Sequence, residues 1–377
     1  MKKSNLIVAF AAILMIVSLV AGCASPAPTV TSAPTAAATS TLEPPPSTGL
    51  TITDALGRTV TFDTLPQRIV VAGKASALIL DAMYMFPEAV DRVISYGKTS
   101  QTGKSFLPVI DPKLAEKTAF DNNVGAEQIA PLKPDLVVLK DYLKDSMGAP
   151  LEALGIKVVY LNLETTDTFN RDVRTIGQLF GDSERADAIV AYYEGAVNAV
   201  TGPLQNLNDA DRPGTLLLEY SDKGGTVAFN VAPASWLQTD LVKLAGGNPV
   251  WTDVPTQGGW TVVTLEQIAA WNPQMIFIVD YAGNAVDIVS QLKSDPQWSV
   301  LDAVKNSKIY AFPVDFLSWD QADPRWALGL TWLATKLQPS VFGSVDMTAE
   351  VTNFYKTLYG MDDAAITSQV LPLVKGD

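Results

Sequence analysis

EQIAPLKPDLVVL, residues 127–139, returns 139 positions later as EQIAAWNPQMIFI, residues 266–278. In both copies Glu, Gln, Ile and Ala lead to a proline, Pro134 or Pro273, and the positions after that proline are apolar. Proline disfavours helical backbone in the residue before it, so each copy reads as a short helix that stops ahead of a buried strand. Two copies predict two similar units related by a rough two-fold, with Glu127 and Glu266 at equivalent places. In the first turn of a helix a Glu favours the dipole by about 0.3–1 kcal/mol. That accounts for one Glu more readily than for a matched pair.

The rest of the chain fits two such units. Its 377 residues exceed the roughly 250–300 that one core sustains. RIVVAG (68–73), RVISYG (92–97), PDLVVL (134–139) and IKVVYLN (156–162) form one series of apolar runs, and TLLLEYS (215–221), QMIFIVD (274–280) and KIYAFPV (308–314) form another. Near-continuous apolar strands separated by helical patterns predict parallel sheets covered on both faces. The expected fold is therefore α/β, with two Rossmann-like lobes at 50–165 and 206–377 and a ligand cleft between them. A helical connection at 166–205 would join them. Within it DSERADAIVAYYEGAVNAV, residues 182–200, places Ala186, Ile189, Val190, Tyr193, Val197 and Val200 at helical spacing. Asp182 or Ser183 can cap this helix, and its length of about 27 Å lets one rigid rod bridge both lobes.

The amino terminus reads differently. Lys2 and Lys3 precede Leu6–Val20, an apolar run of 15 residues, short of the roughly 20 that cross a bilayer, so residues 1–22 read as a secretory leader. Cys23, the only cysteine, follows LVAG, and the pattern resembles the lipobox of bacterial lipoproteins, in which that cysteine takes up lipid. Residues 23–49 form a tether: after Cys23, 22 of 26 residues are Ala, Pro, Ser or Thr, too little apolar surface to offset ordering entropy. Removing the leader removes two lysines and no acid, leaving 25 basic against 40 acidic residues, or −15. Nucleic acid and anionic lipid surfaces are poor partners at that charge; a partner with cationic patches suits it.

The chain resembles the periplasmic binding proteins whose lobes are joined by a helix, the substrate-binding components of ABC importers for ferric siderophores, haem and vitamin B12. DALGRTVTF with LPQRIVV, AEQIAPLKPDLVVL, LGIKVVYLN, PASW with LAGGNPVW, TLEQIAAWNP and DPQWSVLDAVKNSKIYAFP carry the resemblance in that order. It implies a lipid-anchored, extracytoplasmic, monomeric protein that is not an enzyme and holds no cofactor. Such a protein delivers a metal chelate to a permease: a ferric siderophore first, with a corrinoid or haem as the other candidates. It also implies that Glu127 and Glu266 meet arginines of that permease.

Ligand in an open α/β sheet lies beyond the carboxyl ends of the strands. The corresponding loops offer Lys74, Lys98, Asn122 and Tyr142 from the first lobe, and Tyr220, Trp260, Tyr281, Trp319 and Arg325 from the second. All eight tryptophans lie in the second lobe, most of them expected in its core; Trp260, after the flexible QGG, is the one expected in the cleft. An anionic catecholate would call on Lys74, Lys98 or Arg325. The absence of histidine argues against a bare transition-metal site and removes Ser-His-Asp and Cys-His catalysis. GKTSQTGKS, residues 97–105, has five residues between its glycines where a phosphate loop has four, so it reads as a cleft-side loop. A carboxylate-based hydrolase using Asp315, Asp320 and Asp323 is the rival reading.

Overall fold

The computed structural model describes residues 49–98 and 101–376. The leader, Cys23 and all but the last residue of the tether lie outside them. The described residues form one compact unit built around two sheets.

A hairpin of β1 (Leu50–Thr53) and β2 (Thr59–Phe62) comes first. The first sheet runs β5 (Thr118–Phe120), β4 (Val93–Gly97), β3 (Ile69–Val71), β6 (Leu136–Lys140), β7 (Val158–Leu161), all parallel. Every residue of β3, β6 and β7 is buried, as expected of parallel strands covered on both faces. The second sheet runs β11 (Thr261–Val263), β9 (Ala228–Val231), β8 (Gly214–Ser221), β12 (Met275–Val279), β13 (Ile309–Ala311), with β10 (Asn248–Pro249) also on β8. Here the all-parallel expectation needs correcting. β12 and β13 are parallel to β8, but β9 runs antiparallel to β8, because Gly224 and Gly225, both at positive φ, turn the chain straight back, and β11 pairs antiparallel with β9 in turn.

The linking helix spans Ser183–Thr201, and the Asp182 carboxylate accepts the Arg185 N–H at its start, a cap worth about 1 kcal/mol. It packs against the helix Thr166–Phe180 so closely that a Cβ on Gly177 would stand 2.4 Å from the Ala186 methyl. Further along, Tyr193 stacks on Trp326, at 4.9 Å between centroids, and meets Phe169 edge-on. Its hydroxyl donates to the Pro324 carbonyl at 2.8 Å. The same hydroxyl lies 3.8 Å from the Met85 sulfur, so one helix packs on side chains from both lobes.

Candidate functional site

The repeated phrase lies on matching elements. Helix Ala126–Ile129 leads into β6, and helix Leu265–Trp271 leads into β12, the middle strand of each parallel trio. Gln128 accepts the Gly125 N–H and Gln267 accepts the Thr264 N–H, so each Gln caps its own helix start. Ile129 and Ile268 are fully buried. Glu127 and Glu266 are exposed. The Glu266 carboxyl is held below its ordinary range by its own backbone N–H and by Thr264.

At the carboxyl ends of the first-lobe strands a polar network forms. The Tyr142 hydroxyl donates to the Lys74 carbonyl, 3.1 Å, and the Tyr142 N–H to Asp141. Asn162 Nδ2 donates to Asp141 Oδ2 at 2.6 Å, and the Lys140 ammonium donates to the Asn162 carbonyl and to Glu164 Oε1. Tyr142 is 55 % exposed, so the mouth is open, and burial followed by the charges of Glu164 and Asp141 pushes its hydroxyl up to about 12. Lys74 and Asn122 are exposed; Lys98 is exposed and paired with Asp121 at 3.0 Å.

The second lobe offers aromatic rings backed by acids. Trp236, Trp260 and Tyr281 form an edge-to-face chain with centroids 6.0 and 6.2 Å apart. The Tyr281 hydroxyl donates to Asp320, which also accepts from Ser318 and Gln238. Glu219 accepts from Asn230 at 2.6 Å, and burial pushes its carboxyl up to about 7. Tyr220 is half-buried against Phe229.

Two expected ligand residues prove to be interior. Trp319 is 1 % exposed, with its carbonyl wedged against Gly329. Arg325 is fully enclosed: its guanidinium binds Asp315, Asp323 and, from the first lobe, Asp81 at 2.6–2.8 Å, and Phe106, Phe316 and Tyr355 surround it. Residues 311–330 are all buried, so the three aspartates read as hydrolytic candidates are also interior.

Around this ion cluster the lobes are stitched together. The Thr102 N–H donates to the Tyr281 carbonyl and its hydroxyl to the Phe316 carbonyl, at 2.9 and 2.7 Å. Gln101 and Gln321 exchange amide hydrogen bonds at 2.8 Å each. A cavity of about 10 Å³ remains there, lined by Asp81, Lys104, Phe106 and Phe316, at or below what one water needs. A larger hollow, about 500 Å³, lies away from the strand ends, between β1 and the helix Thr166–Phe180. Two arginines on it are already paired, Arg171 with Asp172 and Arg174 with Asp187. We therefore place the candidate site where the strand ends of both lobes converge.

Comparison with known proteins agrees with this architecture. Molybdate-binding protein MolA of Haemophilus influenzae is 26% identical over 342 residues, spanning 83% of this chain and 93% of that protein. Its molybdate-bound structure superposes with a TM-score of 0.67 at 22% identity, covering 83% of this chain and 98% of that one. An uncharacterized ABC transporter substrate-binding lipoprotein of Bacillus subtilis, YvrC, is 25% identical over 340 residues, 88% of this chain and 97% of its own length. The relatives are substrate-binding proteins of transporters rather than enzymes. A family model described as periplasmic binding protein matches residues 69–315, and with two α/β lobes, one linking helix and facing strand ends already in view, the chain belongs to that family.

Proposed function

We propose that this protein captures a metal held in an organic shell that carries no net negative charge, and presents it to an ABC permease through Glu127 and Glu266. A ferric siderophore of the hydroxamate type is the first candidate; a corrinoid is the second. The observation that carries this reading is the chain Trp236–Trp260–Tyr281 standing over Asp320, with Glu164 and Glu219 nearby. Aromatic faces bind flat or greasy chelate surfaces and attract cations, whereas an anionic catecholate or a bare oxyanion needs cations turned toward it. Here Arg325 is buried among carboxylates, Lys140 is tied to Glu164 and Lys98 to Asp121; of the three cations expected for a catecholate, Lys74 alone stands exposed outside these pairs. The relative MolA binds molybdate; with Lys74 set against Asp320, Glu164 and Glu219, this cleft favours a neutral or cationic shell over such an anion. Curated relatives over about half of the chain include vitamin B12-binding proteins, which supports the corrinoid as the second reading. Haem held by a tyrosine is the third, with Tyr142 the exposed candidate.

A lipid at Cys23 and the tether 23–49 would keep this protein at the membrane face. Cys23→Ala is expected to release it into the medium or periplasm.

Titration of tryptophan fluorescence tests the ligand class. A ferric trihydroxamate or cobalamin should quench with one-to-one saturation and no turnover. Saturable binding of molybdate or a ferric catecholate, with neither of those two, overturns the reading.

A further inference from the structure

β6 reads Leu136, Val137, Val138, Leu139 and then Lys140, and all five are buried. Lys140 is 1 % exposed, and its ammonium lies 2.6 Å from Glu164 Oε1. Burying an ammonium costs several kcal/mol that an apolar side chain would not incur. The strand does not need the ion pair, because β6 and β7 are already laddered from Val137–Val158 to Lys140–Leu161.

The route to Glu164 is equally specific. Leu163, fully buried, sits at φ 64, a left-handed conformation that costs a leucine about 1–2 kcal/mol. Buried Asp172 fixes it there, accepting the backbone N–H groups of Asn162 and Leu163 at 2.6 and 2.9 Å. Glu164 N–H then donates to Asn162 Oδ1 at 3.0 Å. A buried lysine, a left-handed leucine and a buried aspartate all converge on one carboxylate. Backbone strain of this kind collects at binding sites, where surrounding structure over-determines it. Glu164 keeps 24 % of its side chain exposed, at the strand ends that face the second lobe, and its charge reaches both Tyr142 beside it and Tyr281 opposite.

We infer that Glu164, pinned by Lys140, is the residue with which the first lobe grips ligand, and that it selects a chelate whose shell carries an ammonium or a similarly strong N–H donor. This rests on the chelate reading above and narrows it. Tyr142, exposed on the same side of the first lobe, adds an aromatic face for such a cation.

The test uses two probes that differ at one group: a ferric trihydroxamate ending in a free ammonium, and the same chelate N-acetylated. Wild-type protein should bind the ammonium form about tenfold or more tightly, the scale of one charge-assisted hydrogen bond. Glu164→Gln keeps the shape and an acceptor for Lys140 while removing the charge, and should bring the ratio of the two dissociation constants near one. The double variant Lys140→Met with Glu164→Gln, which leaves no buried cation behind, should do the same. A general loss of structure weakens both probes alike, so the ratio isolates selectivity from folding. A ratio unchanged in Glu164→Gln, or no preference in the wild type, overturns this inference and leaves the chelate reading standing. A wild type that binds neither these two nor cobalamin overturns both.

Discussion

In the first lobe β3, β6 and β7 lie side by side in parallel, and in the second β8, β12 and β13 do the same. The EQIA helix enters the middle strand of each trio, with Gln as cap, Ile as core, and a residue in the left-handed conformation before the proline, Lys133 or Asn272. Beside the trio the lobes part. After β3 the chain crosses over through helix Ser76–Met83 to a parallel β4; after β8 it doubles back into antiparallel β9, which β11 joins. The flanking strands carry what differs between the two walls: β11 follows Trp260, whereas β4 runs into Lys98. The common trio holds the residues we propose for the permease. Of the residues we propose for the ligand, Trp236 and Trp260 lie on the divergent flank of the second lobe, while Tyr142, Glu164 and Tyr281 follow strands of the trio.

The most severe way to break this pairing of lobes is to remove what fastens them. Arg325 is the cation for Asp315 and Asp323 of its own lobe and Asp81 of the other. Arg325→Met is expected to lower unfolding free energy by about 3–5 kcal/mol, the cost of stranding buried charge. Urea denaturation checks it. The deficit should shrink at pH 5, where the stranded carboxylates accept protons more readily. A loss under about 1 kcal/mol would mean that the seam is held elsewhere.

The proposed docking pair comes next. Glu127→Ala with Glu266→Ala should cut ligand uptake roughly tenfold or more, the scale of losing charge-assisted contacts to arginine, while the ligand dissociation constant stays within about twofold. Normal uptake by the double variant sinks the docking assignment. Unequal single variants would sharpen the comparison, showing which lobe the permease reads.

Two buried acids give the seam and the second lobe a common pH dependence. Burial pushes Asp81 up to about 8, outweighing Arg325 because that guanidinium is shared among three carboxylates; burial likewise pushes Glu219 up to about 7. A folded pKa above the unfolded one means that the folded state binds more protons. That stability is complete below roughly pH 4 and is lost as pH rises toward 7–8. The expected melting temperature therefore falls between pH 5 and pH 8, and Asp81→Asn should flatten the upper part of that fall. A melting temperature rising over this range would reverse the assignment.

How much of this the amino-acid pattern discloses depends on the range of the forces involved. The trio strands are legible because their apolar runs are local, as in Leu136–Leu139 and Met275–Val279. The repeat is legible because capping, core and proline all act within eight residues. β9 and β11 are not, since three or four residues beside a Gly-Gly turn give too weak an alternation. The aspartates of 315–323 look like solvated loop carboxylates until Arg325 is seen at their centre, and its partner Asp81 is 244 residues away. Lys140 ends an apolar strand and looks like its solvent-facing stop; only the fold brings Glu164 over it. Trp260, after a glycine pair, carried a readable signal, and it lies half-buried in the ring chain.

The smallest effect offers the finest test of the repeat. Lys133 and Asn272 occupy the same left-handed position, at φ 49 and 39, each before a proline. Both residues bring a Cβ against the following carbonyl, but asparagine tolerates that conformation better than lysine because its short polar side chain can hydrogen-bond locally. Asn272 also exchanges hydrogen bonds with Asp302, at 2.8 and 3.3 Å, while at Lys133 it is the carbonyl that is engaged, by Arg68. Swapping the two residues should therefore be unequal. Lys133→Asn is expected to raise stability by about 0.5 kcal/mol, the gain from asparagine's local hydrogen bonding in the left-handed conformation alone. Asn272→Lys should lower it by about 1–2 kcal/mol, because strain is added and the Asp302 contact is lost. Urea midpoints at constant m-value resolve differences of this size. Equal and opposite changes would mean that only the backbone angle matters, and that the two halves are energetic copies at this turn. The unequal result would mean that the second lobe has tied its copy to the helix Asp302–Lys305, and the first has no such tie.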